Sequence, residues 1–133
     1  TFTVVMPLRL PKGVRLPGTP ATPKPERPDP ERASDYFSKG FAAYDLGQYE
    51  RAIQDFDQAI RLYPRYASAY YPRGLAYDNL GQSERAIQDF DEAIRLDPQY
   101  AKAYYNRGVS YQAIGKAEEA ARDFAKAEEL GAQ

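Results

Sequence analysis

The chain has 133 residues, enough for one domain with a modest core. It contains no Cys and no His, which removes disulfides, thiolate chemistry, the commonest general base and the commonest metal ligand. The net charge of −1 is uneven: residues 1–32 carry six basic and three acidic residues (+3), and the rest carries 12 basic and 16 acidic residues (−4). An acidic main body argues against nucleic-acid binding, which needs cationic charge to displace counterions.

Taken in order, the chain opens on TFTVVM, a short apolar and β-branched run compatible with a strand end or the tail of an upstream domain. It is too short, and lacks the basic start, for a signal peptide. No apolar run approaches the ~20 residues that a membrane span requires. Eight of the eleven prolines then fall between Pro7 and Pro30. Proline fixes φ and removes backbone donors, so neither a helix nor a central strand is expected there. The stretch TPATPKPERPDP predicts a semi-rigid extended tether, with recognition by a proline-binding module as the sharper alternative. The domain division is therefore a Pro-rich segment over 1–30 and a helical domain over 31–133.

Asp29-Pro30-Glu31 reads as a helix start: an N-capping acid, a proline at the first helical position and an acid near the positive end of the dipole. From Ala33 the chain repeats with a period of 34. Residues 33–66 and 67–100 share 22 of 34 positions without a gap, and 101–133 is a looser third copy. Such a period is the mark of a solenoid. In the middle copy Tyr70, Gly74 and Tyr77 lie on one face of a first helix, which Gly81 ends. Ser83-Glu84 starts a second helix with Ala86, Phe90, Ala93 and Leu96 on one face, and Asp97-Pro98 stops it. The short connection requires antiparallel packing. The small columns Gly40/Gly74/Gly108 and Ala52/Ala86/Ala120 predict close helix approach. Phe56, Phe90 and Phe124 are expected beside them, with Tyr36, Tyr70 and Tyr104 on the facing helix.

Tyr70, Gly74, Tyr77, Gly81, Ala86, Phe90, Ala93 and Pro98 together resemble the tetratricopeptide repeat pattern, in three copies over 33–133. The resemblance implies an all-α fold, a right-handed superhelical solenoid of three antiparallel helix pairs. Ala43 departs from the pattern where Tyr77 and Tyr111 stand, and Gly131 replaces the terminal proline. Pro72, early in its helix, predicts a late or bent start. In the third copy, Ala121 and Glu128 replace the isoleucines at 53/87 and 60/94. Those isoleucines are expected to cover the following repeat, so a smaller and a charged replacement read as the end of the array.

Catalysis finds no support: carboxylates, Lys, Tyr and Ser remain, without a phosphate-binding loop or metal-ligand spacing. Asp55/Asp57 and Asp89/Asp91 point to different helix faces, and Asp57–Arg61 and Asp91–Arg95 read as solvated i,i+4 pairs. The chain is accordingly expected to be no enzyme and to need no cofactor. Binding is better supported. Beside the packed face of each first helix lies a second: Phe37, Phe41 and Tyr44; Tyr71, Leu75 and Asp78; Tyr105, Val109 and Gln112, with Lys102 and Asn106 at its edge. The resemblance places this face on the concave groove that holds a peptide or helix of a partner protein. Family members that clamp a chaperone's C-terminal carboxylate use a Lys/Asn/Arg set across these columns. Phe37, Phe41 and Pro72 stand there instead, so an apolar or aromatic segment is expected. The expected function is an interaction adaptor. The rivals are self-association, with the array stacking on itself or taking its own Thr1–Leu16 segment into the groove, or a regulatory part of a larger multidomain protein. The compartment is left open.

Overall fold

The computed structural model describes residues 12–13, 17–18 and 28–131. The expectations for the apolar start, the tether and its proline-rich text fall mostly outside those residues. Six helices make up the described body: α1 (Pro30–Asp45), α2 (Tyr49–Leu62), α3 (Ala67–Asn79), α4 (Ser83–Leu96), α5 (Ala101–Ala113) and α6 (Ala117–Glu129). They pack as the pairs α1–α2, α3–α4 and α5–α6, with α2 against α3 and α4 against α5 joining one pair to the next. Among the described residues there is no strand. The fold is an all-α helical repeat.

Local chemistry sets the helix ends. The Asp29 carboxylate accepts from the Arg32 N–H at 3.0 Å, and Pro30 takes the first turn, where its missing donor is harmless. The Asp29 N–H donates to the Leu62 carbonyl at 2.9 Å, tying the start of α1 to the end of α2. The first helix of the second pair stops at Gly81, whose φ of +74° lets Gln82 N–H reach back to the Tyr77 carbonyl at 2.9 Å. Asp97, before Pro98, leaves the helical region and its side chain caps the Gln99 N–H at 3.1 Å.

Inside each pair a glycine meets a phenylalanine. A methyl group placed on Gly40 or Gly74 would lie 2.6 Å from the ring of Phe56 or Phe90, and on Gly108 2.8 Å from Phe124. The glycines therefore give up ~1 kcal/mol of helix propensity each to let a ring sit against the backbone. Phe56 and Phe90 are fully buried, each stabilising the fold by ~2 kcal/mol relative to exposure.

The structure corrects two readings. Helix α3 starts at Ala67, in register with Ala101 of α5, so Pro72 does not delay it. Proline sits buried as the sixth residue, and the Ser68 carbonyl four positions earlier loses its helical donor. The acids at 57 and 91 do not pair with Arg61 and Arg95. Asp57 takes Arg73 Nη1 at 2.7 Å and Asp91 takes Arg107 Nη1 at 2.9 Å, each across a repeat boundary. The same guanidinium groups hold Asp89 at 2.6 and 2.8 Å and Asp123 at 2.7 and 2.8 Å in two-pronged contacts. Neighbouring helices place these charges opposite each other at least as closely as helical spacing does. Arg95 instead meets Glu92 at 2.8 Å.

Candidate functional site

The first helices α1, α3 and α5 turn a continuous face toward a shallow trough. Phe37 packs 6.0 Å from the Phe56 ring and 5.1 Å from Tyr66, and Tyr71 packs 5.8 Å from Phe90 and 5.0 Å from Tyr100. Tyr105 packs 5.4 Å from Phe124 and remains 50% exposed. Phe56, Phe90 and Phe124 thus meet Phe37, Tyr71 and Tyr105, not the preceding Tyr36, Tyr70 and Tyr104. One residue back is ~100° around the helix. That turn sends the Tyr70 and Tyr104 hydroxyls to the Pro64 and Pro98 carbonyls at 3.0 and 3.3 Å, and their rings beneath Arg73 and Arg107. Phe37, Tyr71 and Tyr105 are thus part core and part surface.

Two hollows interrupt the trough. The first, about 600 Å³, is walled by Phe37, Phe41, Tyr71 and Lys102, with Ser68, Pro72 and Tyr100 between them. The second, about 480 Å³, is walled by Tyr44, Leu75, Asp78, Asn106 and Val109, with Asn79 and Ser83 added. The structure thus divides the residues singled out in the sequence between two sites. Tyr105 and Gln112 line neither: Tyr105 stands on the α5 surface and Gln112 is exposed. Asn79, Ser110 and Tyr100 escaped the sequence reading. Tyr100 stood only as a repeat boundary, and the roles of Asn79 and Tyr100 come from neighbours 35 and 29 residues away.

Two asparagines organise the polar side. Asn79 Nδ2 donates to the Leu75 carbonyl at 2.9 Å and to Tyr44 Oη at 3.2 Å. Asn106 Nδ2 donates to the Lys102 carbonyl at 3.0 Å and to Tyr71 Oη at 2.9 Å. A carbonyl can only accept, so the amide nitrogen must face it and the Oδ1 atom is turned the other way. Both tyrosines accept from an amide and keep their own proton for another partner. Asp78 stands in the register of Tyr44, 34 residues on, and Ala113 in that of Asn79, so no amide meets Asp78. Its carboxylate accepts from Ser110 Oγ at 2.6 Å, and Ser83 lies beside it in the wall of the same hollow. Burial pushes the Asp78 carboxyl up, against the pull of those two hydroxyls. Burial likewise raises the Tyr71 hydroxyl.

Among the described residues, no group of three or more carboxylates could hold a metal ion, and no helix is long and apolar enough to cross a membrane. A family model described as "Tetratricopeptide repeat" matches residues 37–101 and 71–133. No curated protein matches in sequence comparison. The structure of the first TPR of Spaghetti (RPAP3) bound to the HSP90 peptide SRMEEVD is similar at 30% identity and a TM-score of 0.76, covering 77% of this chain and 82% of that one. The TPR domain of Arabidopsis OM64 is similar at 33% identity and a TM-score of 0.75, covering 76% and 84%. MamA is similar at 34% identity and a TM-score of 0.73; there the match covers 77% of this chain but 60% of MamA. With three helix pairs in a 34-residue register and the family model matched over most of its length, the chain belongs to the tetratricopeptide repeat family.

Proposed function

We propose that the chain is a protein-interaction module whose trough holds an extended segment of a partner protein. The supporting observation is apolar area left uncovered in a concave place: Phe41 is 42% and Val109 39% exposed, one at each hollow. Side chains of this kind, set in hollows beside hydrogen-bonding groups, are how grooves anchor peptides. Similar arrays have been solved with HSP90 and HSP70 peptides, which supports the same class of ligand here. Lys102 and Gln112 at the edges are proposed to set the register of that segment.

Stacking of one copy on the next is the weaker reading. In such a stack Lys39 would stand where Arg73 and Arg107 stand, and Ala125 where Asp57 and Asp91 stand. The charge pair that joins successive repeats would be missing.

The test is selection of random displayed peptides on the full chain, followed by their titration against Phe41→Lys/Val109→Lys. Both positions are exposed, so the melting temperature should hold. Affinity is expected to drop by about tenfold or more, as for central interface anchors. Peptides that bind the variant as well as the wild type would place the binding surface elsewhere.

A further inference from the structure

We propose that the second hollow accepts the guanidinium of an arginine side chain carried by the bound segment. The inference rests on the groove reading and adds the chemistry of one subsite.

Asp78 is the one charged group lining that hollow. Among the described residues it has no basic partner within 4.0 Å, whereas Asp57, Asp89, Asp91 and Asp123 each hold an arginine. Its neighbours are hydroxyls, Ser110 at 2.6 Å and Ser83. A half-buried carboxylate met only by neutral donors keeps an unbalanced charge, which a cation in the hollow would neutralise. The rest of the wall points the same way. Both Nδ2 hydrogens of Asn79 are committed, one to Leu75 and one to Tyr44; those of Asn106 are committed to Lys102 and Tyr71. What the two amides have left to offer is Oδ1, an acceptor. The lining residues thus offer one carboxylate and two uncommitted amide oxygens, beside the Tyr44 hydroxyl, which keeps a proton to donate. The guanidinium supplies five donors in a plane and no acceptor, and sheds its water more readily than an ammonium. Leu75 and Val109 give its methylene stem an apolar surface. The peptide SRMEEVD bound by a similar array presents carboxylates at its C-terminal end, and carboxylates would be repelled here.

The experiment uses the full isotope-labelled chain, titrated with Nα-acetyl-arginine methylamide and, separately, with the citrulline analogue. Citrulline has nearly the same shape and no charge. Expected are saturable shifts of the Asn79 and Asn106 side-chain amide signals and of the Ser110 backbone amide with the arginine compound. Binding of citrulline, and of arginine to Asp78→Asn, should be weaker by about tenfold or more. Asp78→Asn keeps the shape and a bond to Ser110, and an unchanged spectrum elsewhere verifies its fold. Equal binding of citrulline, equal binding by Asp78→Asn, or arginine shifts confined to other surfaces would overturn the proposal. The groove reading falls separately, if selected peptides ignore Phe41 and Val109.

Discussion

Tyr100 shows how a residue between two repeats acquires a measurable property. Its ring lies 5.0 Å from that of Tyr71, and burial first, then Tyr71 and Asp97, push its hydroxyl up to about 12 from an ordinary 10.0. Burial also leads the upward shifts of Tyr70, Tyr71 and Tyr111. A tyrosine whose pKa is higher folded than unfolded contributes stability that is whole below pH 10 and is lost as pH rises toward its folded value. Alkaline titration of the twelve tyrosines by phenolate absorbance should therefore show a class ionising near pH 12. Stability should fall between pH 10 and 12, and less so in Tyr100→Phe. All phenols titrating together near pH 10 in the folded chain would contradict this. Asp78 follows the same rule in the carboxylate range. Its raised carboxyl pKa means that ionisation costs stability at neutral pH, a cost relieved on acidification. A carboxylate kept at such a cost fits a role in binding better than a role in folding.

At the scale of the element, α3 is the informative helix. It runs 13 residues in the same register as α5 although Pro72 stands where α5 has Asn106. The partners change together. Asn106 meets the hydroxyl of Tyr71, whereas Pro72 sits in the register facing Phe37, which has none to offer. The first hollow is consequently apolar along that wall, whereas the second carries Asp78, Asn79 and Asn106. The proline removes the helical donor to Ser68, which lines the first hollow and is exposed. Interior proline costs a helix ~3 kcal/mol relative to alanine, offset by up to ~1 kcal/mol through the stiffer unfolded chain. Pro72→Ala should thus raise the unfolding free energy by about 1–2 kcal/mol, read from urea unfolding followed by circular dichroism. A loss of stability would mean that the buried ring contributes more packing than its backbone costs. The sequence pointed to Pro72 as an anomaly, but its place in an uninterrupted helix depends on the packing of α3 between α2, α4 and α5.

For the whole molecule, the arginine bridges join the repeats into one unit. Arg73 lies on α3, holds Asp89 of α4 in two-pronged contact and reaches Asp57 of α2. Burial works against its charge, but the two carboxylates more than reverse this and leave its pKa above the ordinary arginine range. Burial also lifts the Asp89 carboxyl, against the pull of Arg73, as expected for a side chain 5% exposed. Removing one partner strands the other. Arg73→Met alone should cost about 3 kcal/mol, and Arg73→Met combined with Asp89→Leu should recover most of it. The double variant tests whether the charge itself, or only its compensation, holds the repeats together. Equal loss in the single and double variants would show that the pair is a net source of stability.

What the sequence determined by itself was the repeat unit, its glycine–phenylalanine contacts and its helix ends. The 34-residue period, the glycines facing Phe56, Phe90 and Phe124, and the helix ends at Gly81 and Pro98 are local or repeated signals, and repetition supplies the redundancy that makes such signals legible. The tertiary structure decided which side chains meet across helices, in the recurring ion pairs as well as where the copies differ. Asp57 belongs to Arg73 and not to Arg61, and Asp78 lacks the amide that Tyr44 has. Tyr71 is pinned by an asparagine 35 residues away. These are relations across the gap between helices. They depend on side-chain direction around each helix and on which repeat lies beside it, and a periodic pattern read along one chain averages both away.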